Sequence, residues 1–270
     1  MTQLLACDLD GTIYNRQNGF NDADIDVLKK IGQEGTIRVI ATGRTFQSAL
    51  SVIDKDFPID YLVFSSGAGI YNWKTQKLLQ STNLGYEQTQ KVSNILNQLE
   101  VEYTIHHPIP DNHLFFHSTN NNPHPDFERY IDFNKSHAEA ENSKLPQLDY
   151  SQTLAFVKDM DQFKSIESKL DGIKIIRATS PIDGKSIWME FFNSEVSKAE
   201  GIKQLCKKLN VEDTDVSVIG NDYNDIDMLH HYQSSFIVAN APVDLKVQFE
   251  NLVEISEAPL ADWYKRFHKK

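Results

Sequence analysis

The chain has 270 residues, 40% hydrophobic and 24% charged, the composition of a folded protein with one large or two modest cores rather than of a disordered chain. Its 27 Lys and Arg against 38 Asp and Glu give a formal charge of -11, which argues against a broad basic face for nucleic acid and means that an anionic substrate must be met by local cations. No stretch approaches the roughly 18 unbroken apolar residues of a membrane span, and the N-terminus resembles no signal peptide because it lacks a basic region and its apolar run is broken by Asp8. Two cysteines, Cys7 and Cys206, lie far apart, Cys7 in an apolar run, so both are expected reduced and the protein cytoplasmic, without a membrane partner.

Short apolar runs alternate with helical patterns over the first eighty or so residues. Leu4 to Cys7, Ile37 to Ala41 and Tyr61 to Ser65 read as buried strands, and Asp24 to Glu34 and Thr45 to Ile53 as helices between them. Asn21 or Asp22 can cap the first helix and Gly35 can end it. Such alternation predicts a parallel α/β sheet.

From about Asn83 the texture changes. A helix over Tyr86 to Leu99 precedes a strand pair, Glu102 to His107 and His113 to Ser118. Then come Leu154 to Val157, a helix near Asp161 to Leu170, and a second pair, Ile173 to Thr179 with Ser186 to Phe192, joined across Pro181-Ile182-Asp183-Gly184. Asn120 to Pro125 reads as turn chemistry and His137 to Lys144 as a polar connection. These signals predict an antiparallel sheet with helices on one face, an α+β domain over 83–192 inserted into a discontinuous Rossmann-like α/β core of 1–82 and 193–270. The parallel pattern resumes with a helix over Lys198 to Leu209, a strand at Val216 to Ile219, a helix at Asp225 to His231, a strand at Phe236 to Val238 and a helix near Asp244 to Phe249.

Four places on this scaffold carry chemistry. Asp8-Leu9-Asp10-Gly11-Thr12 follows the first strand, where open α/β sheets place their active crevices. Two carboxylates crowded there repel unless a cation lies between them, and Mg²⁺ favours such oxygen ligands. Thr42-Gly43-Arg44 follows the second strand, with a hydroxyl and a close-approaching backbone suited to an anion. Lys198 begins a helix, the end at which a cation is disfavoured unless an anion accompanies it. Gly220-Asn221-Asp222-Tyr223-Asn224-Asp225 puts a second cluster of carboxylate and amide oxygens beyond a buried strand. Each alone has an ordinary reading as a turn, a cap or a surface lysine. Four strand-end sites in one parallel domain are much harder to obtain by chance, and as a set they suit phosphoryl transfer: nucleophile, metal, and donors for the equatorial oxygens.

The order and content of these sites resemble the haloacid dehalogenase superfamily, and the insertion between the second and third motifs resembles its Cof-like sugar-phosphatase branch with an α/β cap. The resemblance runs nearly end to end and includes Ala239-Asn240-Ala241. It implies a Mg²⁺-dependent phosphatase acting on a small phosphorylated metabolite through an aspartyl-phosphate, with Asp8 as nucleophile and Asp10 as acid and base. It implies phosphate contacts from Asp8, Leu9, Thr42, Gly43, Lys198 and Asn224, metal contacts drawn from Asp8, Asp10, Asn221, Asp222 and Asp225, and a substrate contact from Arg44. The inserted domain would close over the substrate and select it. Two residues depart from the branch: Asn221 stands where an Asp is usual, and Ser66 where an Asn is usual.

Four rival readings make their own predictions. A noncatalytic phospho-ligand sensor would explain Asn221 but not the retention of Asp8, Asp10, Thr42 and Lys198, and a phosphomutase would use the same fold. Gly67-Ala68-Gly69 begins like a dinucleotide fingerprint but lacks its third glycine, and a hairpin is predicted after it in place of a helix. His106, His107, His113 and His117 could suggest zinc, but they have no dense ligand pattern and read as strand-surface residues.

Overall fold

Strand β1 (Leu4–Cys7) is apolar and buried along its whole length, the run expected of a parallel strand covered on both faces. It pairs in parallel with β4 (Ile37–Ala41) on one side and β14 (Val216–Gly220) on the other. Beyond β4 lie β5 (Tyr61–Phe64), β6 (Gly69–Asn72) and β7 (Lys77–Ser81); beyond β14 lie β15 (Ser234–Val238) and β16 (Glu250–Leu252). The eight-stranded sheet is parallel from β16 to β5, and β6 runs antiparallel to β5. Chain progress goes one way from β1 through β4 and the other way through β14. The carboxyl end of β1 is therefore the switch point where open α/β sheets bind ligands.

This computed structural model describes residues 2–121, 123–140 and 145–268. It divides into one unit of Met1–Arg44, Ser48–Gln80 and Ser197–Lys270 and another of Thr45–Gln47 and Ser81–Val196. In the first unit, α1 (Asp22–Gln33) starts where the Asn21 side chain accepts from Ala23 N, and the chain leaves it through Gly35 at φ +93°. Helix α6 (Lys198–Leu209) is capped by the Ser197 hydroxyl and buries Ile202, Leu205 and Cys206 on the sheet with Leu4, Val39 and Val218. A small hairpin, β2 (Tyr14–Asn15) with β3 (Gly19–Phe20), follows β1 directly. The helix after β4, α2, covers only Phe46–Leu50, shorter than the sequence predicts, and β16 and α9 (Pro259–Trp263) were not predicted.

The second unit holds a six-stranded sheet in the order β10 (Ala138–Ala140), β9 (Phe115–Ser118), β8 (Tyr103–His106), β11 (Gln152–Val157), β13 (Ile187–Asn193), β12 (Ile173–Thr179). All its pairings are antiparallel except β9 with β10. Helices α3 (Tyr86–Gln98) and α5 (Met160–Glu167) bury Val92, Leu96, Phe163 and Ile166 against Ala155 and Val157. The expectation of helices on one face needs correcting. Helix α4 (Pro125–Phe133) packs Phe127 on Leu154 and Phe156, which alternate to the opposite face of β11. The connection predicted over 137–144 includes β10, and 141–144 lie outside the described residues. His106 is buried rather than on the strand surface, with Nδ1 on Asn112 O at 2.8 Å and Nε2 on Thr104 Oγ1 at 3.0 Å. No helix among the described residues is long and apolar enough to cross a membrane.

Candidate active site

The ends of β1, β4 and β14 and the start of α6 bring the four sequence sites together within the first unit. Lys198, fully buried, places Nζ 2.6 Å from Asp8 Oδ1 and 2.6 Å from Asp225 Oδ1. The buried charge is affordable only because both carboxylates meet it. Gly67 is what allows this approach: it sits at φ +103°, and a Cβ there would collide with the Ser197 carbonyl oxygen at the start of α6. The preceding Ser65 and Ser66 are left-handed as well, at φ 48° and 53°, a conformation that costs non-glycine residues energy. The turn after β5 is thus bent to seat the helix that carries Lys198. It also settles the dinucleotide question, because Gly69–Asn72 continues as strand β6 where that fingerprint needs a helix.

The second oxygen of Asp8 looks the other way. Thr12 Oγ1 lies 3.1 Å from Asp8 Oδ2 and 3.3 Å from Asn221 Oδ1, so a carboxylate oxygen from β1 and an amide oxygen from the β14 loop converge on one hydroxyl. An added Cβ at Gly11 (φ +79°) would strike the Asn221 amide, so the close packing of these two loops requires glycine there. Asn240 Nδ2 donates to Gly11 O at 2.8 Å and Asn240 Oδ1 accepts from Ile255 N, which ties this loop to the C-terminal segment.

Asp225 was expected among the metal ligands, and its contacts point elsewhere. One oxygen faces Lys198; the other accepts from Asn221 N at 2.8 Å and Asp222 N at 3.1 Å. Its carboxylate therefore anchors the lysine and shapes the loop. Asp222 is half-buried at the N-cap of the turn over Tyr223–Asp225. Asn224 reaches the second motif, since its Nδ2 would stand 3.4 Å from a Cβ on Gly43. Thr42 is buried, and its hydroxyl oxygen accepts from Arg44 N at 3.1 Å, leaving its proton to be donated. Leu9 buries its side chain, and its carbonyl oxygen accepts from Tyr14 N at 2.8 Å, closing the loop around Asp10. Asp10 is gripped by Arg44 through Nε and Nη2, each at 2.6 Å.

Electrostatics follow from burial and pairing. Burial pushes the Asp8 carboxyl upward, and the Lys198 ammonium pulls it back. For Lys198 burial would lower the pKa, but Asp225 and Asp8 raise it further than burial lowers it, so the ammonium stays charged. Burial also raises the Cys7 thiol beside this cluster; both cysteines are free and buried, and of the two the sequence predicts burial for Cys7.

A magnesium ion is testable against this donor set. Among the described residues no three His, Cys, Asp or Glu side chains are disposed to hold a metal. The oxygens that converge are one carboxylate and one amide, Asp8 Oδ2 and Asn221 Oδ1. That fits Mg²⁺, which takes one or two protein carboxylates and completes its shell with water and phosphate oxygens, better than a softer metal wanting nitrogen or sulfur. Sequence reasoning gave no role to Thr12 or Tyr14. A hydroxyl four residues after a strand-end carboxylate, within one turn, was the available signal for Thr12.

Known proteins resemble the chain over nearly its whole length. The chain is 24% identical over 249 residues to YxeH of Bacillus subtilis (strain 168), covering 89% of this chain and 88% of that protein. It is 23% identical over 267 residues to the 5-amino-6-(5-phospho-D-ribitylamino)uracil phosphatase YwtE of the same organism, covering 90% and 89%. The fold superposes on BT1666 of Bacteroides thetaiotaomicron, a phosphatase of the haloalkanoate (HAD) enzyme superfamily, with a TM-score of 0.82 at 19% identity over 99% of this chain and 96% of that one. It also superposes on the HAD subclass IIB sugar phosphatase BT4131, with a TM-score of 0.79 at 17% identity over 99% of each. Residues 5–256 match the family described as haloacid dehalogenase-like hydrolase, and the chain belongs to that family.

Proposed function

We propose that this hydrolase is a Mg²⁺-dependent phosphatase that removes phosphate from a small phosphorylated metabolite through an aspartyl-phosphate on Asp8. The observation that carries the reading is the fully buried Lys198 bridging Asp8 and Asp225 at the switch point of a parallel sheet. A buried cation paired to a carboxylate at that place suits a site built to receive a further anion. The names of YwtE and BT4131 support a phosphorylated metabolite of sugar or sugar-alcohol character.

In the first half-reaction an Asp8 oxygen forms a bond to phosphorus while the bond from phosphorus to the leaving oxygen breaks, and Asp10 gives that oxygen its proton. In the second, a water oxygen bonds to phosphorus, Asp10 takes the water's proton, and the bond to Asp8 breaks to release inorganic phosphate. Lys198, the Thr42 hydroxyl and Asn224 hold the phosphoryl oxygens, and the backbone at Leu9 and Gly43 adds N–H donors. Asp8 and Asn221 would hold Mg²⁺, with Asp222 beside them, and the bound ion would neutralise charge on the phosphoryl group. Substrate choice belongs to the second unit, which contains none of the residues above.

A sensor without turnover is the poorer account, because binding alone does not call for Asp10 beside a paired nucleophile. The test is a phosphatase screen of the wild type and Asp8→Asn against a panel of sugar phosphates, nucleotides and phosphorylated cofactors with Mg²⁺. Release of phosphate from a subset of the panel, absent in Asp8→Asn, is expected. Equal release by both proteins would overturn the reading. A Mg²⁺ titration followed by calorimetry, with tighter binding in Asn221→Asp, tests the placement of the ion without reference to turnover.

A further inference from the structure

Arg44 was expected to contact substrate, but every nitrogen of its guanidinium is already engaged. Nε and Nη2 present the bidentate edge to Asp10, at 2.6 Å to Oδ2 and 2.6 Å to Oδ1. Nη1 lies 3.0 Å from Ser48 O and 3.3 Å from Ser48 Oγ. The side chain is 13% exposed, and its flat face lies over Tyr14, with 5.5 Å from Cζ to the ring centroid. Tyr14 in turn packs on Phe20 at 5.0 Å, and Phe20 on Phe57 at 4.8 Å. The backbone of Tyr14 closes the Asp10 loop as well: its N–H donates to Leu9 O at 2.8 Å, and its carbonyl accepts from Gly11 N at 3.0 Å. One aromatic residue thus fixes both the main chain around Asp10 and the guanidinium that grips its side chain.

We propose that Arg44 is a positioning residue, a rigid fork that holds the Asp10 carboxylate in one rotamer and does not grip the substrate. The inference rests on the reading of Asp10 as the proton donor and acceptor. A forked guanidinium restrains a carboxylate in plane and direction, which a lysine cannot do with a point charge. Each Asp10 oxygen keeps a lone pair outside the fork, so the proton can leave in the first half-reaction and return in the second while the side chain stays where it is. The carboxylate formed when the proton leaves is met at once by a fixed cation. Backed by Tyr14, Phe20 and Phe57, the fork itself has little room to move.

The test is a double-mutant cycle between Arg44→Gln and Asp10→Asn, with Arg44→Lys alongside, on 4-nitrophenyl phosphate with Mg²⁺. Arg44→Gln and Arg44→Lys should each lower kcat about 10- to 100-fold, the scale of a misplaced catalytic group. KM and the inhibition constant of inorganic phosphate should stay within about twofold of wild type, because no ground-state contact is lost. In the Asp10→Asn background Arg44→Gln should cost nothing further. A raised KM with weakened phosphate inhibition would mean that Arg44 binds the anion and would overturn the inference. So would a loss that multiplies with that of Asp10→Asn, which is also what general damage to the fold would give. Full activity in Asp10→Asn alone would instead refute the acid–base role on which the inference rests.

Discussion

The two units bury different titratable groups: the first holds a lysine between two carboxyl groups, and the second holds a histidine and the Asp126 side chain, which meets Arg129 at 3.0 Å and Trp188 Nε1 at 2.6 Å. In the first, the buried Lys198 ammonium lies 2.6 Å from both the Asp8 and the Asp225 carboxyl groups. In the second, His106 is buried as a neutral ring whose two nitrogens are met by a carbonyl and a hydroxyl, and burial lowers its pKa to about 4. Glu102 Oε1 and Gln152 Oε1, also in that unit, are buried with no hydrogen-bond partner among the described residues. A buried ionisable group needs either a partner of opposite charge or a neutral form whose polar atoms are hydrogen-bonded. The contrast sets the paired lysine of the candidate site beside the neutral histidine of the second unit, and it can be broken by experiment.

The largest effect should come from Lys198→Met. It would leave Asp8 and Asp225 buried without their cation, so stability at neutral pH should fall by about 3–5 kcal/mol and turnover should vanish. Urea unfolding of the variant checks the first part. A change below about 1 kcal/mol would mean that the cluster is better hydrated than its burial implies.

His106 should give the next largest effect, with the opposite origin. Its folded pKa of about 4 lies below the unfolded value of 6.5, so its stabilising contribution is complete above 6.5 and is lost as pH falls through 4. The full swing is about 3 kcal/mol. His106→Asn can retain the hydrogen bond to the Asn112 carbonyl and cannot titrate, so its unfolding free energy should be flatter between pH 7 and 4 than that of wild type. An acid limb of the same depth in the variant would remove His106 from the account.

Asp24 in α1 sharpens the comparison from within the first unit, since it is buried outside the site. Burial raises its carboxyl to about 6, against the pull of backbone N–H groups at 260 and 261, and its Oδ2 is buried without a partner among the described residues. A raised carboxyl favours the fold below the unfolded pKa of 3.8, and that contribution is lost as pH rises through 6. Asp24→Asn should therefore gain about 2 kcal/mol relative to wild type on going from pH 4 to pH 8. No relative change across that range would show that Asp24 is stabilised by groups other than those around it here.

Much of the first unit was legible in sequence for a physical reason. An apolar run ended by Asp8 announces a buried parallel strand with a candidate site at its end, and Lys198 draws notice at the end of a helix where a cation is disfavoured. What stayed hidden was side-chain aim. Nothing in the period of the sequence says that Asp225 turns back to Lys198, or that Asp10 and Arg44, 34 residues apart, meet fork to fork. Helix α4 was missed because Asn120 to Pro125 reads as a turn, although Pro125 stands at the first helical position behind the His124 cap, where proline is at home. In the second unit the strands were readable as β-branched and aromatic runs, but α4 covers the face that patterning left open.

The central claim is that Asp8 carries the phosphoryl group. It is tested most directly by mixing the wild type with a turned-over substrate and Mg²⁺, quenching in acid within milliseconds, and mapping the peptides by mass spectrometry. The account predicts one phosphoryl group on the peptide containing Asp8, absent after hydroxylamine treatment and absent in Asp8→Asn. Turnover at full rate with no phosphorylated Asp8, or with the label on another residue, would contradict it.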